Sequence, residues 1–331
     1  MALSVIQRIL FGFGILLILL LMIAASGFLG INKIENRLNV VTGKVANISS
    51  TSNALKEDVS LANAAVLQYL LSKSPSSLED LSARFLQNKQ EFSDVSEQLA
   101  VQLQGIPVMA QALDSINAEV KRFYGYTDVA FSNHKTMLEL QAVVPDEKLD
   151  LKDSIAFATE DLGMLVTDGD TSEIQFAASY MHSQIESLQV SVNDYFDVRS
   201  LDNMQELRDA MATIISSLKD KQSYLNDDNI NDLVGEIEAG VLSDDGVVAK
   251  FYENARLAQE SEVLAKQLSD SMELVNHSVQ QLLSEAAAMG VNAKTEATDA
   301  ATLSTLIIEV VLVVSIIIAV LVALWVSRSI R

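Results

Sequence analysis

Three short stretches of the chain combine cationic and aromatic side chains in a way that could bind a small organic acid. They are Lys121-Arg122-Phe123-Tyr124-Gly125-Tyr126, Tyr195-Phe196 with Arg199, and Phe251-Tyr252 with Arg256. A guanidinium group binds a carboxylate through two parallel hydrogen bonds, and an aromatic ring supplies an apolar wall. The predicted ligand contacts are Lys121, Arg122, Tyr124, Tyr126, Tyr195, Arg199, Tyr252 and Arg256. The alternative is that the rings belong to a core and the cations to a solvated surface.

The excess of acidic residues supports a second class of ligand, an amine or polyamine. The formal net charge is −21, from 44 acidic and 23 basic residues. The candidate carboxylates, each with a nearby tyrosine, are Asp194 and Asp197, or Glu160 and Asp161, beside Tyr180 or Tyr195. A solvated acidic surface is the alternative interpretation. The same charge argues against nucleic acid or anionic lipid as a partner of the charged region.

No pattern in the sequence indicates catalysis or a resident metal. The chain has no cysteine, which excludes disulfides and thiolate metal sites. Its three histidines, His134, His182 and His277, are far apart and have no partner at ligand spacing. There is no Ser/His/Asp or Cys/His arrangement and no phosphate-binding loop. We therefore expect no enzymatic activity, no cofactor and no metal ion.

Two apolar segments of membrane length enclose the charged part of the chain. The first has no charge and the second has only Glu309, and each exceeds the roughly 20 apolar residues that a spanning helix needs. Arg8 precedes the first segment and Arg328 follows the second, which predicts that both ends are cytoplasmic. A signal peptide cleaved near Ala24-Ala25-Ser26-Gly27 is the alternative for the first segment, but the apolar run is longer than that of a typical signal peptide. The predicted order is a cytoplasmic N-terminus 1–8, a transmembrane helix 9–31, a periplasmic domain 32–302, a second transmembrane helix 303–326 and a cytoplasmic segment 327–331.

Three residues in or near the second apolar segment are candidates for transmembrane signalling. Glu309 lies about two turns inside the segment, where a charged residue usually faces protein or water rather than lipid. Trp325 stands at the position of an interfacial anchor, and Arg328 follows it on the cytoplasmic side. In the first segment, Ser26 and Gly30 form a pair of small residues suited to close helix contact. The alternative for Glu309 is a side chain that reaches the outer interface.

The region between the apolar segments has the pattern of long amphipathic helices. Its apolar positions recur in alternating steps of three and four, which is typical of helices packed as in a coiled coil. The two longest seams are Ile31, Ile34, Leu38, Val41, Val45, Ile48, Ser52, Leu55, Val59, Ala62, Val66 and Tyr69, and Leu268, Met272, Val275, Val279, Leu282, Ala286, Met289, Ala293, Ala300 and Leu303. Pro145 is expected to end a helix. We predict an all-α fold of two stacked four-helix bundles that share long first and last helices, flanked by two transmembrane helices.

This organisation, with the terminal sequence Trp325-Val326-Ser327-Arg328-Ser329-Ile330-Arg331, resembles the front half of a methyl-accepting chemotaxis receptor. Residues 327–331 look like the start of a HAMP linker, and 32–302 is similar to the helical bimodular (HBM-type) sensor domains of chemoreceptors and some histidine kinases. The resemblance implies a homodimer in the bacterial inner membrane with small-molecule ligands such as organic acids. It also implies output to a cytoplasmic kinase or adaptor through a domain outside this chain.

The leading prediction is a transmembrane chemoreceptor module. A small ligand, or a ligand-loaded periplasmic binding protein, would shift the balance between two helix packings. One alternative is the sensor portion of a histidine kinase of similar architecture. Another is a non-sensory helical membrane protein that acts as a scaffold.

Overall fold

The computed structural model of the protein describes residues 5–225 and 227–330, without the side chains of residues 5, 8, 9, 16 and 325–330. Within these residues it consists of helices and the turns between them, which confirms the all-α prediction. The elements are α1 (Val5–Asn39), a π-helical segment (Val40–Val45), α2 (Ala46–Leu71), α3 (Pro75–Gln102), α4 (Pro107–Asp168), α5 (Ser172–Asp197), α6 (Leu201–Gln222), α7 (Asp228–Leu242) and α8 (Val247–Ile330).

The chain divides into two compact units, each built from segments that are distant in sequence. The described residues of Met1–Leu61, Gln87–Val120 and Glu273–Arg331 form the first unit, and those of Ala62–Leu86 and Lys121–Met272 form the second. Helices α2, α3, α4 and α8 each contribute residues to both units. The sequence predicted that the long first and last helices are shared, but it did not predict the same of α3 and α4.

The core of the first unit consists largely of the apolar seams of α2 and α8. The buried positions include Ile48, Ser52, Leu55 and Val59 of α2, and Val275, Val279, Leu282, Ala286 and Ala293 of α8. Ser52, the polar member of its seam, donates its hydroxyl hydrogen to the carbonyl of Ile48 at 2.6 Å. Ser96 Oγ of α3 donates to Asn117 Oδ1 of α4 at 2.8 Å. Because buried polar groups are costly when unpaired, the bond between Ser96 and Asn117 helps to fix the register of α3 against α4, whereas the bond of Ser52 satisfies its hydroxyl within α2.

The core of the second unit is formed by α5, α6 and α7 with parts of α4 and α8. Its completely buried side chains include Ala158, Leu162, Met181, Ile185, Leu188, Tyr195, Met211, Leu218, Ile230 and Ile237. The side chains of Thr171, Ser200 and Asp227 cap the N-termini of α5, α6 and α7 by accepting hydrogen bonds from backbone N–H groups. Capping sets where these helices begin, and burial of one apolar face sets their orientation.

Pro145 does not end a helix, contrary to the prediction from the sequence. It lies inside α4, which continues for more than twenty residues beyond it. Proline has no N–H, so one helical hydrogen bond is lost, and an interior proline costs about 3 kcal/mol. Val144, Leu151 and Ile155, which flank the proline, are buried in the core of the second unit. Burial of such side chains stabilises by about 1.5–3 kcal/mol each, which outweighs the cost of the proline.

Two helical stretches, Leu10–Leu71 and Asp228–Leu324, are long and apolar enough to cross a membrane. They contain the apolar segments recognised in the sequence. The second segment belongs to α8, a helix that continues from Val247 to Ile330 without a break. The first turns of α8 lie in the core of the second unit, and its last turns are the apolar ones.

Candidate functional site

Tyr195 lies in the core of the second unit rather than at a surface that a ligand could reach. Its side chain has no exposed area, and its hydroxyl donates a hydrogen bond to the carbonyl of Val248 at 2.8 Å. Its ring centroid lies 5.6 Å from that of Phe196 and 6.0 Å from that of Phe251, and Tyr252 packs against the same core. Burial raises the pKa of the Tyr195 phenol above its ordinary value of 10.0. Tyr195 therefore joins the end of α5 to the start of α8, and its predicted contact with a ligand stays a prediction.

Arg256 is already paired with carboxylates of its own helix. Its guanidinium donates to Glu253 at 2.7 Å and to Glu260 at 3.1 Å. The hydrogen bond from Arg256 lowers the pKa of Glu253, and the same bond raises the pKa of Arg256. A ligand carboxylate would have to displace one of these partners. Arg256 is therefore not a preformed anion site.

The cluster at residues 121–126 of α4 is divided between the core and the surface. Tyr124 is buried, and its ring packs edge-on against Phe85 of α3 with the centroids 5.6 Å apart. Lys121 and Arg122 lie on the exposed side of the helix, and Tyr126 is half-buried. Consecutive residues of a helix point about 100° apart. Lys121 and Tyr124 are three residues apart and are neighbours on the helix surface, whereas Arg122 lies about 200° from Tyr124 around the helix. The Tyr124 ring is buried, and the ligand contacts predicted for 121–126 stay predictions.

Arg199 is a predicted cation that lines a cavity. It lies in the link between α5 and α6, and the cavity of about 610 Å³ is also lined by Phe251 and Gln259. Phe251 supplies an apolar wall, and the Gln259 amide can both donate and accept hydrogen bonds. Asp202 and Glu262 line the same cavity. One guanidinium beside two carboxylates suits a ligand that carries an acid together with an amine. The sequence pointed to Arg199 but not to Gln259 or Glu262, which became its neighbours only through folding, nor to Asp202 three residues further on.

A cavity of about 790 Å³ lined by α4, α7 and the start of α8 is strongly acidic. Its carboxylates are those of Glu147, Asp150, Asp153, Glu236 and Asp245. Lys250 forms an ion pair with Glu147, and Ser154 Oγ donates to Glu236 at 2.9 Å. With five carboxylates against this lysine, the cavity attracts cations and repels organic acids. This cavity is not among the sites predicted from the sequence, although the spacing of Glu147, Asp150 and Asp153 places these residues on one side of a helix.

The carboxylates predicted to bind an amine lie in different surroundings. Asp194 and Asp197 line a cavity of about 550 Å³ together with Glu206. Asp161 accepts a hydrogen bond from the side chain of Asn229, and Glu160 is exposed. Of the two predicted pairs, the one formed by Asp194 and Asp197 therefore has the surroundings of a binding site.

The two membrane-length helices pack closely where α1 has small residues. A Cβ atom added at Gly30 would lie 2.8 Å from Ser304 Cβ, so a larger residue there would push α1 away from α8. Ser304 Oγ donates to the carbonyl of Ser26 at 3.3 Å. A Cβ added at Gly12 would lie 2.6 Å from Val322 Cγ1. The predicted pair of small residues, Ser26 and Gly30, thus forms a contact between α1 and α8 of one chain.

Glu309 lies on a side of α8 that α1 leaves uncovered. Ser304 is partly buried against α1, whereas Glu309 is exposed. A carboxylate that faces hydrocarbon is costly, so this side chain has to meet protein, water or the membrane interface. The side chains of Trp325 and Arg328, also predicted to take part in signalling, lie outside the described residues.

Comparison with solved structures finds helical sensor domains. The sensor domain of the V. parahaemolyticus histidine kinase sensor TorS superposes with a TM-score of 0.47 and 11% identity, over 74% of this chain and 99% of that chain. A TorS sensor domain in complex with TorT, in the presence of TMAO, superposes with a TM-score of 0.49 and 9% identity over the same shares. No family model matches the sequence, and neither does any curated protein. Similarities of this extent do not establish a function, which has to follow from the residues of this chain.

Proposed function

We propose that the chain is the sensory module of a bacterial transmembrane receptor, with residues 32–302 in the periplasm and residues 9–31 and 303–326 in the inner membrane. The observation that carries this proposal is the continuity of α8 from the core of the second unit into the second apolar segment. A helix transmits displacement because backbone hydrogen bonds fix every turn. A change of packing at Val248 or Phe251 would therefore reach the membrane without crossing a flexible link.

The ligand that we propose is a small organic acid bound in the cavity of Arg199. The guanidinium would hold the carboxylate, and Phe251 would cover the apolar part of the molecule. Asp202 and Glu262 would pair with an ammonium group, which favours an acid that also carries an amine. The cavity is lined by both the α5–α6 link and α8, so a ligand there would favour one packing of α8 over another by binding it more tightly.

A cationic ligand in the acidic cavity is the second candidate. Five carboxylates line this cavity, and the start of α8 contributes to its wall. A diamine or polyamine could pair with several of these carboxylates at once, and it would also contact α8. Only the cavity of Arg199 offers a cation to a ligand carboxylate, so a panel that includes amino acids and polyamines can separate the two candidate sites.

The proposed output is control of a cytoplasmic kinase by a homodimeric chemoreceptor. The exposed position of Glu309 supports a second copy in the membrane, because a charged residue of a spanning helix usually faces protein or water. A histidine kinase of similar architecture is the alternative output, and a ligand-loaded binding protein is the alternative input. Fusing each kind of signalling domain after the second span, and measuring kinase activity with ligand, would distinguish the outputs.

The proposed function is tested by thermal unfolding of the full chain in lipid nanodiscs with a panel of dicarboxylates, amino acids and polyamines. We expect an acid or amino acid to raise the melting temperature of the wild type and to lose this effect in Arg199→Gln. Arg84→Gln, which removes an exposed cation of α3, is the matched control and should keep the effect. Stabilisation by polyamines that is lost in Glu236→Gln would favour the acidic cavity. No stabilisation by any compound would favour the scaffold alternative.

A further inference from the structure

Within the first unit, the helical stretch that begins with the first apolar segment is interrupted by the π-helical segment Val40–Val45. The N–H of Ala46 reaches back five residues to the carbonyl of Val41, as it does in a π-helix. Thr42 Oγ1 donates to the carbonyl of Leu38 at 2.9 Å, and the β-branched residues of the segment are poor α-helix formers. The segment therefore contains one residue more than a regular α-helix would need to span the same turn.

This extra residue decides which face of α1 meets α8. An uninterrupted α-helix would continue the buried seam of α2 to Leu38 and Ile31, as the sequence predicts. In the structure, the side chains of Leu38 and Ile31 are 55% and 65% exposed, so that part of the prediction is wrong. Arg37 and Gly30, one position earlier, take their places, whereas Ile34 stays partly buried as predicted. Arg37 forms an ion pair with Glu296, and Gly30 lies directly against α8.

Space for the other arrangement exists beside the segment. A cavity of about 360 Å³ is lined by Arg37 and Val40 and by apolar side chains that include Met109 and Met289. If α1 turned by one residue, about 100°, Leu38 would replace Arg37 at this cavity. Burial of the leucine would be favourable, and the half-exposed ion pair of Arg37 that is lost contributes little. Against this gain, Ile31 would replace Gly30 beside Ser304, where a side chain requires α1 to move outward. The two effects oppose each other.

We propose that residues 40–45 form a two-state element that converts between a π-helix and an α-helix. In the π-helical state Gly30 and Arg37 face α8, and in the α-helical state Ile31 and Leu38 face it. The conversion rotates the membrane part of α1 against α8 by about 100°. Its use in signalling rests on the proposed function, but the two states can be detected without a ligand.

Disulfide formation in the full chain in nanodiscs distinguishes the two states, and the chain has no cysteine of its own to interfere. Three double variants combine Ser304→Cys with Gly30→Cys, Ile31→Cys or Leu29→Cys. Gly30 reports the π-helical state, because its Cβ position lies 2.8 Å from Ser304 Cβ and a small outward shift suffices for a disulfide. Ile31 reports the α-helical state. Leu29 lies equally far around the helix on the other side, so it reports undirected rotation. We expect the Ile31 pair to form several times faster than the Leu29 pair.

Two variants of the segment should move this balance in opposite directions. Deletion of Gly43 removes the extra residue, so an α-helix then keeps Gly30 against α8, and the Ile31 crosslink should be lost. The double substitution Thr42→Ala with Gly43→Ala favours the α-helix over the π-helix. It should raise the ratio of Ile31 to Gly30 crosslinks by about fivefold, the factor that corresponds to the difference in helix propensity between glycine and alanine.

The matched control is the double substitution Ser50→Ala with Asn53→Ala, at exposed positions in the regular part of α2, which should leave the ratio unchanged. Equal rates for the Ile31 and Leu29 pairs, in both the wild type and the alanine variant of the segment, would overturn the proposal. Absence of the Ile31 crosslink from both proteins would do the same. If the deletion variant does not fold, the wild type and the alanine variant still decide. Because no ligand is added, failure here leaves the proposed sensory function standing.

Discussion

Replacement of Tyr195 by phenylalanine removes one buried hydroxyl and leaves the ring in place. In the wild type this hydroxyl donates to the carbonyl of Val248 at 2.8 Å from a side chain with no exposed area. Such a hydrogen bond contributes about 0.5–1.5 kcal/mol, and the carbonyl of Val248 keeps its helical partner within α8. We expect the variant to lose about 1 kcal/mol of unfolding free energy. For a cooperative unit of this size, that lowers the melting temperature by about 2–4 °C.

The same substitution should change the dependence of stability on alkaline pH. Burial raises the pKa of Tyr195 above its ordinary value of 10.0, so the unfolded chain releases the phenolic proton before the folded chain does. The stability from this group is complete below pH 10 and is lost as the pH rises through the folded pKa, by up to about 1.4 kcal/mol per pH unit. The phenylalanine variant has no such proton, so its stability should fall less steeply above pH 10. Burial also raises the pKa of Tyr69, so some slope should remain.

Both effects can be measured by thermal unfolding of the full chain in nanodiscs, followed by circular dichroism at neutral and alkaline pH. Tyr224→Phe is the matched control, because the side chain of Tyr224 is 49% exposed. It should change neither the melting temperature nor the alkaline slope. Equal decreases of melting temperature in Tyr195→Phe and Tyr224→Phe would refute the placement of Tyr195 in the core. A fall of stability above pH 10 that is as steep in Tyr195→Phe as in the wild type would refute it too.

Two further predictions concern the first unit. Burial raises the pKa of Asp58 above its ordinary value of 3.8, and the charges of Glu91 and Glu57 raise it further. The ionised form of Asp58 therefore lowers the stability of the fold at neutral pH. This loss of stability disappears as the pH falls below the pKa of Asp58 in the unfolded chain. Asp58→Asn should therefore melt higher than the wild type at pH 7 but not toward pH 3, and an unchanged melting temperature at pH 7 would contradict this. Gly30→Leu should separate α1 from α8 and lower the melting temperature. Gly14→Leu is the control and should not lower it, because an added Cβ there meets nothing within 4 Å. Equal changes of melting temperature in the two variants would argue against the contact between Gly30 and α8.

The helical seams could be read from the sequence because their period is a local property of the chain. The positions from Ile48 onward in α2, and from Leu268 to Ala293 in α8, are mostly buried as predicted. The continuity of α8 followed from the absence of helix-breaking residues. Pro145 was wrongly predicted to end a helix because the preference of the residue before a proline is local. Burial of the side chains on both sides of Pro145 instead keeps α4 continuous.

Two features depend on contacts that no local pattern contains. A single extra residue in a π-helix moved the buried face of α1 from Leu38 to Arg37, and both residues fit a helical pattern at that point. The aromatic and cationic clusters predict binding sites only where residues that are close in sequence also face one pocket. In the helix they point in different directions, so Tyr124 and Tyr195 became core residues while Arg199 stayed at a cavity.

The proposed function requires that ligand binding to residues 32–302 changes the packing of α1 against α8. The most direct measurement is the rate of disulfide formation in Gly30→Cys with Ser304→Cys in nanodiscs, with and without the compound that most raises the melting temperature of the chain. The account predicts that this compound changes the rate, and that the change disappears when a substitution in its binding cavity abolishes binding. A compound that stabilises the chain but leaves the rate unchanged would contradict transmission through α8.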